Sequence, residues 1–304
     1  MARPDRAVHQ PVRLGAEPRP RLAAFYPALF VLLWSTGFIA AKYGLPYAPP
    51  LAFLLVRFVL VASLMAVVAV LTGATWPTRR QLLHLVVAGV LVHAVYLGGV
   101  FVSIKAGMSA GTSAMIVGLQ PLLTVLLARA WLGERVLPRQ WTGLVLGLAG
   151  VWMVIRHKVS FTGDTAGLVP VALALVGISV GTLYQKRHCA HVDLRAGAVV
   201  QFTACAILLA PAVLLLEPES IQWTVPFAFA LGWSVLVLSV GAISLLYWLL
   251  RHGAAAQVAR LFYLVPPVTA LMAWILFGET LEALAIVGMV LIAAGVALAR
   301  PRGS

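Results

Sequence analysis

His93 and Tyr96 are the side chains of this sequence best suited to proton or hydrogen-bond chemistry. They sit in an otherwise apolar stretch, GVLVHAVYLG from Gly89 to Gly98. A histidine there combines a donor, an acceptor and an ordinary pKa near neutrality. Tyr96, about one helical turn on, shares its face. Further polar or aromatic groups recur in apolar surroundings: Trp34, Ser35 and Thr36, Gln120, Ser179, Thr182, Ser239, Tyr263 and the cation Arg57. Each has two readings, as a group lining a cavity or as a hydrogen-bond tie between helices. Trp34 either stacks on a ligand or fills space between helices. Arg57 either snorkels its stem outward or presents a guanidinium to a carboxylate.

The chemistry these residues do not support is equally informative. No HExxH or paired aspartate occurs, His84 and His93 do not share a helical face at i, i+4 spacing, and no P-loop is present. No catalytic, metal or cofactor site is therefore expected, and a membrane-embedded enzyme, receptor or structural protein is the alternative class. Cys189 and Cys205 lack metal-ligand spacing and are read as free thiols.

The elements that must carry these residues follow from composition. Of 304 residues, 62% are hydrophobic and 10% charged, against about 25% charged in a soluble domain. The net charge of +13 does not form a clustered basic face, so no nucleic-acid partner is expected; the expected surroundings are lipid. Apolar windows predict ten membrane-spanning helices near 23–41, 51–72, 82–103, 109–128, 141–155, 167–185, 196–216, 226–250, 255–277 and 283–299. The fifth is short, and Pro138 suits an earlier start. Residues 1–22, with five Arg and four Pro, read as a disordered tail; 301–304 form a short C-terminal tail whose Gly303-Ser304 resembles a cloning remnant.

With the N-terminus cytoplasmic, the inner segments hold sixteen Lys/Arg and the outer ones only Lys42, Lys105, Arg156 and Lys158. That asymmetry places both termini inside. Arg57 and Arg260 fall within spans, Tyr247 and Trp248 suit an interfacial belt, and all nine acidic residues lie in the tail, loops or helix ends. With no carboxylate near the midplane, proton antiport through a buried acid is disfavoured; coupling through His93 is the alternative.

The chain also repeats itself. PLLTVLLARAWLGE (121–134) aligns with PPVTALMAWILFGE (266–279) at an offset of 145, and GLVLGLAGV (143–151) with GMVLIAAGV (288–296) at the same offset. At an offset of 144, Ser35, Gly37 and Lys42 fall on Ser179, Gly181 and Lys186, and Arg57-Phe58 on Gln201-Phe202. Two five-helix units, 23–160 and 161–300, are expected. Because five is odd, the second must enter the bilayer from the opposite side, an arrangement common among secondary transporters. Pro121, Pro266 and Pro267 should break the fourth and ninth helices, as gating hinges or as tolerated curvature. The small-residue stripes Gly143, Gly147, Gly150 and Gly288, Gly295 predict close packing within one protomer. Glu134 and Glu279 are expected to cap or pair at helix ends.

On Arg57-Phe58, the paired Pro-to-Glu blocks and the Gly-rich helices ending in AGV, the chain resembles the drug/metabolite transporter superfamily, in particular the ten-helix EamA-type exporters, and among these the YddG-like amino-acid exporters. The resemblance spans roughly residues 23–299. It implies two five-helix halves around a central cavity, alternating access, location in the bacterial inner membrane and export of small metabolites, with amino acids prominent. A monomeric, uncoupled facilitator or exchanger fits that expectation and the absence of deep acids.

Overall fold

Apolar length and local stop signals together define the helices. The computed structural model describes residues 25–132, 137–162, 166–243, 245, 249, 261–280 and 283–298. The expected tails, and the expectations for Glu134, Tyr247, Trp248 and Arg260, lie outside the described residues. Every regular element among the described residues is helical.

Proline opens α1 (Tyr26–Gly44) and α2 (Pro50–Leu71), where its missing N–H costs no helical bond. Thr78 and Gln81 form a reciprocal capping box that starts α3 (Arg79–Gly89). The chain continues through a π-helical segment, Val90–Val95, into α4 (Tyr96–Lys105). Ser109 caps α5 (Ala110–Val117), which breaks at Gly118-Leu119 before α6 (Gln120–Leu132). Pro121 therefore opens a new helix instead of bending an existing one. α7 runs Pro138–Thr162, α8 Leu168–His188 and α9 Leu194–Leu216. The short fifth span is corrected by this: the helix starts at Pro138 and continues past 155 through Arg156 and Lys158, because neither charged residue is a helix breaker. α10 (Val225–Gly232) passes into a second π segment, Trp233–Ala242. A 3₁₀ turn, Phe262–Leu264, leads into α11 (Val265–Phe277), with Pro266 and Pro267 in its first turn, and α12 covers Ala283–Leu298. Gly278, at φ 63°, supplies the left-handed residue that ends α11.

Among the described residues, six apolar helical stretches are long enough to cross a bilayer: Pro50–Leu71, Arg79–Lys105, Ala110–Trp131, Leu168–His188, Leu194–Leu216 and Val225–Ala242. Two shorter apolar helices, Val265–Phe277 and Ala283–Gly295, accompany them. Leu214, Leu215, Val225 and Val70 are among many large apolar side chains left exposed, as a lipid-facing surface requires.

Extensive helix pairings join α7 with α12, α2 with α9, α8 with α4 and the π segment before it, α11 with α5 and α1, α3 with α9, α6 with α8, and α1 with the second π segment. The first is the most explicit. A Cβ on Gly150 would meet the Gly288 carbonyl, and one on Gly295 would meet the Gly143 carbonyl. Only hydrogen allows backbones so close. Numbers rise along α7 as they fall along α12, so these helices run antiparallel. One large cluster, including Phe53, Phe58, Phe101, Phe202 and Phe227, forms the core.

Candidate functional site

The two π segments carry the polar centre of the molecule. A π turn inserts a residue, interrupts the i→i−4 ladder and re-aims the side chains that follow. In the first segment it positions His93; in the second, Ser239. His93 Nε2 and Gln201 Oε1 of α9 are hydrogen-bonded at 3.2 Å. Arg57 Nη2 of α2 donates to Ser239 Oγ, also at 3.2 Å. Ser239 in turn donates to the Ser234 carbonyl at 3.0 Å. The His93 ring stacks on Phe202, with centroids 4.2 Å apart, and meets Phe58 edge-on at 6.3 Å. Tyr96 lies within electrostatic reach of Arg57, as does His93.

Arg57 is only 7% exposed. The snorkelling expectation is therefore corrected: the guanidinium points into the protein, because Ser239 offers a hydrogen bond there. Its Nε has no hydrogen-bond partner among the described residues.

A second group forms where α1 meets α11 and the second π segment. Trp34 packs against Phe30 and Phe262, with centroids 5.3 and 5.1 Å away. Trp233 Nε1 donates to Thr36 Oγ1 at 2.9 Å, while Thr36 donates to the Leu33 carbonyl at 2.6 Å. Ser35, fully buried, donates to the Val265 carbonyl at 3.3 Å, on the residue before Pro266. Tyr263 is in the adjoining 3₁₀ turn, and its side chain lies outside the described residues. A third, smaller contact joins α6 to α8: Gln120 Nε2 donates to Thr182 Oγ1 at 3.4 Å. Thr182 and Ser179 donate to carbonyls one turn back, Ile178 and Leu175, both at 2.7 Å.

The residues singled out from the sequence thus fall into three groups. Arg57, His93, Tyr96 and Ser239 come together; Trp34, Ser35 and Thr36 form the second set; Gln120, Ser179 and Thr182 the third. Sequence reasoning assigned no role to Gln201, Phe202, Phe262 or Trp233. The repeat did carry a signal for two of them, since it lays Gln201-Phe202 over Arg57-Phe58. The two contacts are alike in kind, each running from α2 or α9 to a π segment, although the repeat register lays His93 over Val237 and not over Ser239.

At one end of the bundle Glu279 receives three donors. It forms an ion pair with Lys42 and accepts from the first backbone N–H groups of α5, Ala110 at 3.0 Å and Gly111 at 3.5 Å. Glu217 similarly accepts from Leu51 and Ala52 N–H at the start of α2, at 2.9 and 2.8 Å. Both carboxylates sit where helix N-termini favour negative charge.

Comparison with known proteins extends the picture. An uncharacterized inner membrane transporter of Escherichia coli K12, YedA, is 27% identical over 264 residues, covering 86% of each chain. A probable amino-acid metabolite efflux pump of Salmonella typhimurium is 29% identical over 90% of this chain and 93% of its own. A probable terminal-alkyne amino-acid exporter of Streptantibioticus cattleyicolor is likewise 29% identical, over 90% and 92%. A crystal structure of 20% sequence identity superposes with a TM-score of 0.64 over 91% of this chain and 96% of that one, which shows a shared fold. The model of the EamA-like transporter family matches twice, at residues 21–156 and 165–300, so this multi-pass membrane chain, with its helical fold and paired polar contacts, belongs to the EamA-like transporter family.

Proposed function

We propose that this chain is a secondary carrier exporting small metabolites, most specifically amino acids, across the bacterial inner membrane by alternating access. Ten spans form two five-helix halves, 23–160 and 161–300, related by inversion around a central substrate cavity, with both termini in the cytoplasm. The observation that carries this reading is a pair of polar contacts, Arg57–Ser239 and Gln201–His93, each joining a residue of one proposed half to a residue of the other. The antiparallel, reciprocal glycine contacts of α7 and α12 support the inversion, since a two-fold exchange of halves maps each onto the other. Such an exchange gives a carrier two related conformations of similar energy, one open to each side. Lys/Arg asymmetry supports the orientation, and relatives named as amino-acid exporters support the substrate class.

In this reading the substrate is held between the halves by Arg57, His93, Tyr96 and Ser239. Trp34, Ser35, Thr36, Gln120, Ser179, Thr182 and Tyr263 line the cavity, and the breaks at Pro121 and at Pro266-Pro267 act as hinges. Transport is uncoupled or exchange-driven, in keeping with the lack of acidic residues inside the spans. Purified protein in proteoliposomes, loaded with an unlabelled amino acid and offered the labelled one outside, should accumulate label transiently. Absence of such counterflow across a panel of the common amino acids would remove the amino-acid assignment; dissipative flux that is not saturable would remove the carrier itself.

A further inference from the structure

A full positive charge buried in the spanning region needs a counter-charge. Leaving a charged group uncompensated in low dielectric costs several kcal/mol. Arg57 is such a group: it is buried, and among the described residues one of its five N–H donors is engaged, by the neutral hydroxyl of Ser239. That hydroxyl uses its own hydrogen on the Ser234 carbonyl. Nε is buried without a partner among the described residues.

Among the described residues the chain offers no acid to the site. None of its nine acidic residues falls inside an apolar run. Those described are engaged elsewhere or exposed: Asp193 with Arg195, Glu217 at the start of α2, Glu279 with Lys42, and Glu219 on the surface. The other groups near Arg57, His93 and Tyr96, are a base and a phenol and supply no resident negative charge at neutral pH.

We infer that the guanidinium of Arg57, with Ser239 as its support, is a binding site for the carboxylate of the transported molecule, so that the substrate supplies the missing charge. The planar fork of an arginine matches the two oxygens of a carboxylate, which a spherical halide cannot engage in the same way. Ser239 accepts one N–H of Nη2, and the N–H of Nε is left without a partner among the described residues. The assignment deepens the carrier reading and rests on it. It implies that the carrier selects for a free carboxyl group and rejects the amide of the same molecule.

The test uses the full chain in lipid nanodiscs and reads the thermal melting midpoint. Sodium chloride is replaced stepwise by sodium butyrate or sodium benzoate at constant ionic strength, with butyramide and benzamide as neutral controls. Carboxylates should raise the midpoint in a saturable manner and the amides should not. Arg57→Gln should abolish the response, Arg57→Lys should weaken its apparent affinity at least tenfold, and Ser239→Ala should weaken it several-fold. Equal responses to carboxylate and amide, or to carboxylate and chloride, would overturn the assignment. So would an unchanged response in Arg57→Gln. Should that variant fail to fold, undiminished affinity in both Arg57→Lys and Ser239→Ala overturns it instead. Counterflow on the wild type separates the two readings. Carboxylate-dependent stabilisation without amino-acid counterflow leaves the anion site and removes the amino-acid carrier; counterflow with no carboxylate response does the reverse.

Discussion

At the scale of single residues, hydrogen-bond partners decide what each titratable group is able to do. His93 shares its bond with an amide, Gln201, and stacks on Phe202; neither neighbour relays a proton. Uncoupled transport therefore predicts that a pH dye inside proteoliposomes stays constant while amino acid moves. His93→Gln should change the counterflow rate by no more than about fivefold, since one neutral hydrogen bond is worth about 1 kcal/mol. Acidification that follows flux in the wild type and disappears in the variant would instead assign proton coupling to His93. Asp193 shows a different coupling to pH, away from the membrane interior. The side-chain hydrogen bonds from Arg195, outweighing a smaller opposing effect of burial, hold its carboxyl at about 2, below an ordinary value of 3.8. Asp193 also caps α9 and accepts from Thr75 N–H. Because the folded state depresses the pKa, this stabilisation is present above the unfolded value and is lost as pH falls through the folded one. Asp193→Asn retains a capping side chain but loses the charge. Its melting midpoint should fall below that of the wild type near neutral pH, and the gap should close between about pH 4 and pH 2.

At the scale of elements, the contact between α7 and α12 makes a quantitative demand. Gly150 faces the Gly288 carbonyl and Gly295 the Gly143 carbonyl, so an added methyl group meets backbone that cannot rotate away. Gly150→Ala and Gly295→Ala should each lower stability by about 1–3 kcal/mol, the usual range for overpacking, and by similar amounts, since the two sites are equivalent. Gly232 has helical dihedrals and open space where a Cβ would go, so Gly232→Ala should be neutral or gain up to about 1 kcal/mol. Denaturation in mild detergent, following helicity, measures all three. The glycine stripes were readable in the sequence because close helix packing in lipid demands small residues at fixed spacing. Helix positions were readable for a similar reason, since span length and hydropathy are local properties. The π segments at Val90–Val95 and Trp233–Ala242 were not readable: no proline or polar cluster marks them, and they arise from how α3, α4 and α10 pack against their neighbours. Without them the partnerships of His93 and Ser239 have no visible register. The choice between the two readings of Arg57 was not readable for the same reason, because its partner lies 182 residues away. Glu217 capping α2 is equally non-local, across 166 residues.

At the scale of the whole molecule, alternating access requires that the contacts closing one side be breakable, and the Glu279 cluster has that character. Lys42 belongs to α1, Ala110 and Gly111 to α5, and Glu279 follows α11, so a single carboxylate ties three elements together at the end that is outermost in the proposed orientation. The repeat lays Lys42 over Lys186 and Glu279 over Glu134, which gives the inner end the same residue types for the opposite state. The outer pair is partly exposed, with side chains 29% and 12% accessible, so its net worth is about 1 kcal/mol or less. An interaction of that size suits a switch, since removing it shifts a two-state population by about fivefold without trapping the protein. Lys42→Gln should therefore favour the outward-open state. In a background where Cys189 and Cys205 are replaced by alanine, Ser35→Cys lies fully buried beside Val265. A membrane-impermeant maleimide added outside should modify it several times faster once Lys42 is neutralised. Glu279→Gln should act more strongly than Lys42→Gln, because it also weakens the cap on α5. For the same reason the charge-swapped pair, Lys42→Glu with Glu279→Lys, should not restore the wild-type rate: the exchange rebuilds the ion pair but places an ammonium against the N–H groups of α5, where a helix start disfavours positive charge. Full restoration by the swap would show that the pair alone closes the outer side, and identical labelling in all variants would show that this cluster does not limit access at all.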